Sequence, residues 1–175
     1  VYEQTVLLLL ENLPSLEIAM PILPHHMEFV KEQTQRWRKK PILVPDAEKH
    51  TAMYAANAAL VKSGTSSLEV ALAKVPMVIT YKVTALTAFM LRRMIKVPFV
   101  TLVNILESKE IIPEFLQEKC RPDLLAPALR LLLEDRIRAG KQVVEAQAAL
   151  KKLGLGATSL PSENAADAVL NLIKK

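Results

Sequence analysis

The chain alternates short apolar runs with longer amphipathic stretches, and no other feature constrains its fold as much. Residues 16–23, 42–44, 56–62, 76–81 and 99–102 have the length and apolar content of strands. Between and after them lie helix-length segments: 2–12, 24–38, 46–53 capped by Asp46, 66–73, 84–96, one opened by Pro113, 123–134, 137–153 and one from Ser162. Strands joined through helices lie parallel with both faces covered, so the expectation is an α/β fold: a Rossmann-like parallel sheet with flanking helices, plus C-terminal helices. Pro21 has no amide to give a neighbour and must fall near the end or edge of its strand. In 66–73 and just beyond, Leu68, Ala71, Leu72 and Val75 recur at i, i+3, i+4 and i+7, the stripe of a helix buried on one side. Residues 103–106 read as a loop. The division expected is a ligand-binding domain over 1–134 and a helical tail over 135–175.

Composition narrows the function classes. A hydrophobic share of 51% in 175 residues supports one compact core and excludes disorder. The aromatic share is only 5%, which suits α/β or all-α layers better than a β-sandwich. The first residue is Val1 and no charged leader follows, so the chain reads as an excerpt from a longer protein with no targeting peptide visible. The single cysteine, Cys120, cannot form an internal disulfide, and a reducing compartment fits. His25, His26 and His50 lack metal-ligand spacing and companions, so no metal is expected.

A net charge of +5 would suit nucleic acid, anionic lipid or phosphate-bearing substrates. The basic residues are dispersed, however, and no nucleic-acid motif accompanies them, so no nucleic-acid partner is expected. No apolar run approaches the roughly 18 to 20 residues that cross a bilayer, which leaves a soluble or peripheral protein.

Ligands of open parallel sheets bind beyond the carboxyl ends of the strands. Two segments qualify. In Ser63-Gly64-Thr65-Ser66-Ser67-Leu68-Glu69, Gly64 permits an unusual backbone angle and the hydroxyls supply donors. The amides of the first helical turn suit a diphosphate, and Glu69 could accept from two ribose hydroxyls. The same residues also spell a capping box, Ser66-x-x-Glu69, in which Glu69 would only satisfy backbone. The second segment is the Asn104 loop with Glu107, Lys109 and Glu110; its alternative is an ordinary surface turn. A third feature is the apolar helix ending in Arg92, Arg93 and Lys96, which suits either an anionic membrane surface or burial with its basic end exposed.

The blocks SGTSSLEVALAKVPMVITYKV, RRMIKVPFVTLVNIL and KEIIPEFLQEKCRPDLLAPAL, in that order, resemble the C-terminal half of lipid-A-disaccharide synthase, a glycosyltransferase family of the two-domain GT-B fold. The resemblance runs from about Leu16 to the last helix. It implies transfer of a 2,3-diacylglucosamine unit from UDP to 2,3-diacylglucosamine 1-phosphate, with inversion, giving the β-1,6 disaccharide of lipid A and UDP, without metal or other cofactor. By it, Ser63, Gly64, Thr65 and Ser66 match the phosphate-side turn and Glu69 the ribose carboxylate. Asn104 matches the asparagine of the family's P-N-L-L-type loop, with Val103 and Ile105 replacing the proline and first leucine. Glu110 matches the glutamate that follows. Asn104 and Glu110 are therefore the expected catalytic contributors from this half, facing the turn as the second wall of a donor site. Ser108-Lys109 stands where the family commonly has Gly-Arg, so Lys109 would bring charge to phosphate without the bidentate fork. The acceptor domain and its general base would lie outside this chain.

The resemblance also implies a cytoplasmic protein, peripheral on the inner membrane, and leaves a homodimer open. Another UDP-sugar transferase or epimerase of the same fold, or a non-catalytic Rossmann-like module held at a membrane, are the competing readings.

Overall fold

The structure, a computed structural model, describes residues 1–84, 87, 98–156 and 161–173. The basic helix expected over 84–96 falls almost wholly outside the described residues. The described elements run α1 (Tyr2–Leu10), β1 (Ala19–Ile22), α2 (Met27–Thr34), β2 (Ile42–Pro45), α3 (Lys49–Ala55), β3 (Ala59–Lys62), α4 (Ser66–Leu72), β4 (Met77–Tyr81), α5 (Leu102–Glu107), β5 (Glu114–Leu116), α6 (Pro122–Glu134), α7 (Arg136–Lys152) and α8 (Pro161–Ile173). Short 3-10 turns at Pro24–His26, Asp46–Glu48 and Gln117–Lys119 link some of them. Asp46 opens such a turn and makes no side-chain cap to α3.

All pairings are parallel, as the alternation predicts. They fall into two pieces: β1 beside β2, and β3-β4-β5 with β4 in the middle. Pro21 pairs with Val44 in a strand that has one partner among the described residues, an edge position where its missing amide costs nothing.

β4 organises the core. Its residues Met77, Val78, Ile79 and Thr80 are all buried, as a central parallel strand requires. Successive side chains point to opposite faces. Met77 and Ile79 join one cluster with Val61 of β3, Val70 and Ala71 of α4, Val103 of α5, and Ala146, Ala149 and Leu150 of α7. Val78 joins the other, with Leu9 of α1 and Leu125, Ala126, Leu129 and Leu132 of α6. Helices therefore cover both faces.

Three expectations need correction. Residues 99–102 do not form a strand: Val100 and Thr101 donate their amides to the Glu114 carboxylate at 2.8 and 2.9 Å, where a strand would have used a neighbour's carbonyls. The expected loop 103–106 is helical, within α5, because Val103 and Asn104 turn into the core. Pro113 opens no helix but leads into β5, its carbonyl accepting from Ile79 at 2.9 Å. Beyond residue 134, α7 supplies three residues of the first core cluster.

α7 is bound to the sheet by more than apolar contact. Buried Gln142 accepts from the Met77 amide at 2.6 Å and donates to the Met77 carbonyl at 3.1 Å, pairing the first residue of β4 as a strand would. Gln142→Ala orphans both groups and is expected to lower stability by about 2–3 kcal/mol; a urea midpoint equal to that of the unaltered protein would contradict this role.

A candidate ligand cavity at the strand ends

The Ser63–Glu69 segment leaves β3 at its carboxyl end, and Ser63 still donates to Thr80 of β4 at 3.0 Å. Gly64 then adopts φ +152°, and a Cβ there would meet nothing within 4 Å. Glycine is thus needed for its backbone angle, not for space. Thr65 stands at the helix N-cap and Ser66 is the first helical residue. Ser67 turns inward and donates to the Gly64 carbonyl at 2.6 Å. The Ser63, Thr65 and Ser66 hydroxyls and the Gly64, Thr65 and Ser66 amides have no protein partner among the described residues.

The capping box does not form. Thr65 at the N-cap receives no side-chain bond, and Glu69 reaches across to α3, accepting from Lys49 Nζ at 3.0 Å. That hydrogen bond is the main reason Lys49 titrates above the ordinary lysine range; partial burial opposes it, and the charges of Glu69 and Asp46 add to it. Lys49 is therefore cationic at neutral pH.

Thr65, Ser66, Glu69 and Lys49 line a cavity of about 340 Å3 together with Asp46, Met53, Pro21 and Leu23. Its size falls within the range of small-molecule sites. The walls come from the carboxyl ends of β1 and β3, two strands that do not pair with each other, and from the segment after β2. Apolar Pro21, Leu23 and Met53 offer a surface for a flat ring, while the turn offers donors. A neighbouring cavity of about 320 Å3, at the ends of β3 and β4, is lined by Val1, Tyr2, Lys62, Tyr81, Lys82 and Cys120. Among the described residues no group of His, Cys, Asp and Glu is arranged to hold a metal, and no helix is long and apolar enough to cross a membrane.

Asn104, Lys109 and Glu110 lie elsewhere. The chain enters β5 at Glu114, so the Asn104 segment sits at the amino end of that strand and not, as the sequence suggests, at the carboxyl edge. Asn104 is fully buried and fully engaged. Its Nδ2 donates to the Ile112 carbonyl and to Glu114 Oε1, each at 2.8 Å, and its Oδ1 accepts from the Ile111 and Ile112 amides, each at 2.9 Å. Glu114, which the sequence did not single out, gathers Val100, Thr101 and Asn104 onto one carboxylate. This geometry engages both ends of the Asn104 side-chain amide within the protein. Lys109 pairs with Glu145 of α7 at 3.0 Å, and Glu110 is exposed. None of the three lines the cavity at the turn.

Ser108 ends α5 in the left-handed conformation, φ +50°. Glycine adopts that angle without the Cβ penalty, which accounts physically for the Gly that the resemblance expects there.

A parallel α/β domain with helices on both faces belongs to the Rossmann-like fold class. Comparison with known sequences gives the family: the sequence pattern of lipid-A-disaccharide synthetase matches residues 2–169, and this chain belongs to that family. Among similar curated proteins, the lipid-A-disaccharide synthase of Paramagnetospirillum magneticum is 41% identical over 99% of this chain and 45% of its own length. That of Bradyrhizobium diazoefficiens is 45% identical over 91% of this chain and 41% of its own length, and that of Granulibacter bethesdensis 39% over 95% and 43%. The chain spans less than half the length of these relatives.

Two stability outcomes separate the built network from the free turn. Asn104→Ala is expected to cost about 2–4 kcal/mol, whereas Ser66→Ala should change stability by no more than about 0.5 kcal/mol. Equal effects in thermal unfolding would show that one of them is misassigned. Ser108→Gly relieves the left-handed strain and should raise stability by about 0.5–1 kcal/mol; a lower melting temperature would speak against it.

Proposed function

We propose that this chain is the donor-binding part of an inverting glycosyltransferase that joins UDP-2,3-diacylglucosamine to 2,3-diacylglucosamine 1-phosphate, forming the β-1,6 lipid A disaccharide and releasing UDP. Family membership supplies the reaction class. The observation that carries the site assignment is Glu69: its carboxylate is free of any backbone cap and opens into the same cavity as the unpartnered Thr65 and Ser66 hydroxyls.

In this reading Glu69 accepts the two ribose hydroxyls, a geometry a carboxylate suits well. Ser63, the amides of Gly64, Thr65 and Ser66, and the adjoining hydroxyls hold the diphosphate. As the glycosidic bond to phosphate breaks, negative charge grows on the leaving oxygen, and fixed donors there lower the barrier. Asn104 contributes by holding the segment 100–114 in shape, with Glu114 as its partner. Lys109 and Glu110 do not line this cavity, and any contact they make with substrate comes from another surface. The general base for the acceptor hydroxyl belongs to the part of the protein outside this chain. Acylated substrates would hold the whole enzyme at the cytoplasmic face of the inner membrane.

Titration of the full-length protein with UDP tests the assignment. Glu69→Ala is expected to weaken UDP binding by about tenfold or more, the scale of losing two charge-assisted hydrogen bonds. Unchanged affinity would remove Glu69 from the nucleotide site.

A further inference from the structure

Lys49 has no counterpart in the sequence features first singled out, yet it lines the cavity beside Glu69. It stands at the start of α3, just beyond the carboxyl end of β2, with its side chain only 25% exposed. Among the described residues lining the cavity it is the sole cation, and two carboxylates, Asp46 and Glu69, share the lining with it. An ammonium carries three donors. One goes to Glu69 at 3.0 Å, and no other acceptor takes the remaining two among the described residues.

Two consequences follow from the charge count. Without Lys49, an anionic ligand would enter a cavity lined by two negative charges and no positive one. With Lys49, Glu69 is neutralised where it stands, and two donors remain for an incoming anion. A neutral ligand gains nothing from this arrangement beyond a well-held Glu69. We propose that Lys49 is a specificity-determining residue that makes this cavity prefer a nucleoside diphosphate to the uncharged nucleoside, bridging Glu69 and a phosphate oxygen. This rests on the nucleotide-binding reading of the cavity and adds to it the residue that senses the ligand's charge.

The pair is also a positioning device. Glu69 sits on a short helix with no backbone cap to fix its rotamer, and Lys49 is its one described partner. Holding the carboxylate toward the cavity before the ligand arrives lowers the ordering cost of binding. The two roles make different demands. Positioning affects every ligand that uses Glu69, whereas charge compensation affects only anions.

The test uses the full-length protein and three variants, Lys49→Met, Lys49→Arg and Glu69→Ala, after checking that their melting temperatures match the unaltered protein. UDP binding is measured by calorimetry and uridine binding by titration in the same buffer, each at low and high salt. Lys49→Met is expected to weaken UDP by about tenfold, through lost charge compensation and lost positioning together, and uridine by no more than about threefold, through lost positioning alone. It should also flatten the salt dependence of UDP binding. Lys49→Arg, which keeps the charge, should retain UDP affinity within about threefold. Equal weakening of UDP and uridine would overturn the proposal by reducing Lys49 to a support for Glu69, and so would unchanged UDP affinity in Lys49→Met. If Glu69→Ala leaves UDP binding intact, the nucleotide reading of the cavity itself fails, a result distinct from a failure confined to Lys49.

Discussion

A strand buried along nearly its whole length has no face to give to water, so β4 demands a covering layer on each side and a partner for every backbone group. Met77 and Ile79 look toward α4, α5 and α7, while Val78 looks toward α1 and α6. β3 and β5 flank it in parallel register. Where no strand continues the ladder, a side chain takes over: Gln142 at Met77, reaching in from α7 across 65 positions of sequence. Both helical layers and the flanking strands are thus fixed by one central element, and the carboxyl ends that carry the cavity inherit their positions from it.

The parts of this arrangement legible in the sequence are those written in local periodicity. β3, β4, α4 and α6 follow from apolar runs or from stripes such as Leu125, Ala128, Leu129 and Leu132, because burial on one side leaves a repeat. The region 99–116 departs from its local reading, with no strand at 99–102, a helix where a loop is expected and a strand after Pro113, since its determinant is not local. A single carboxylate, Glu114, takes the amides of Val100 and Thr101 and the Asn104 amide group, and nothing in the spacing of these residues announces it. The same holds for the turn after β3. Ser66-x-x-Glu69 has the spacing of a capping box, but a lysine 20 positions upstream claims the carboxylate instead. The general rule that ligands gather at carboxyl ends pointed to Ser63–Glu69, of which Thr65, Ser66 and Glu69 line a cavity. Applied to the end of β2, it would also have reached Lys49.

Polar groups in this chain divide into those already satisfied and those left available. Asn104 uses its whole amide inside the protein, and Gln142 uses both ends of its own. The Thr65 and Ser66 hydroxyls have no partner among the described residues. Networks of the first kind give rigidity, and unspent donors at a strand end mark a place where something else can bind. The separation is spatial as well, since the satisfied network lies at the amino end of β5 and the unspent donors lie at the carboxyl end of β3.

The cavity owes its existence to β1 and β3 ending side by side at one crevice without pairing. Each therefore keeps one row of main-chain donors and acceptors without a ladder partner among the described strands. Rows of that kind are adhesive and accept any extended segment of compatible register. The strand edges beside the cavity are therefore templates for strand addition, and they carry an aggregation hazard wherever those rows stay uncovered.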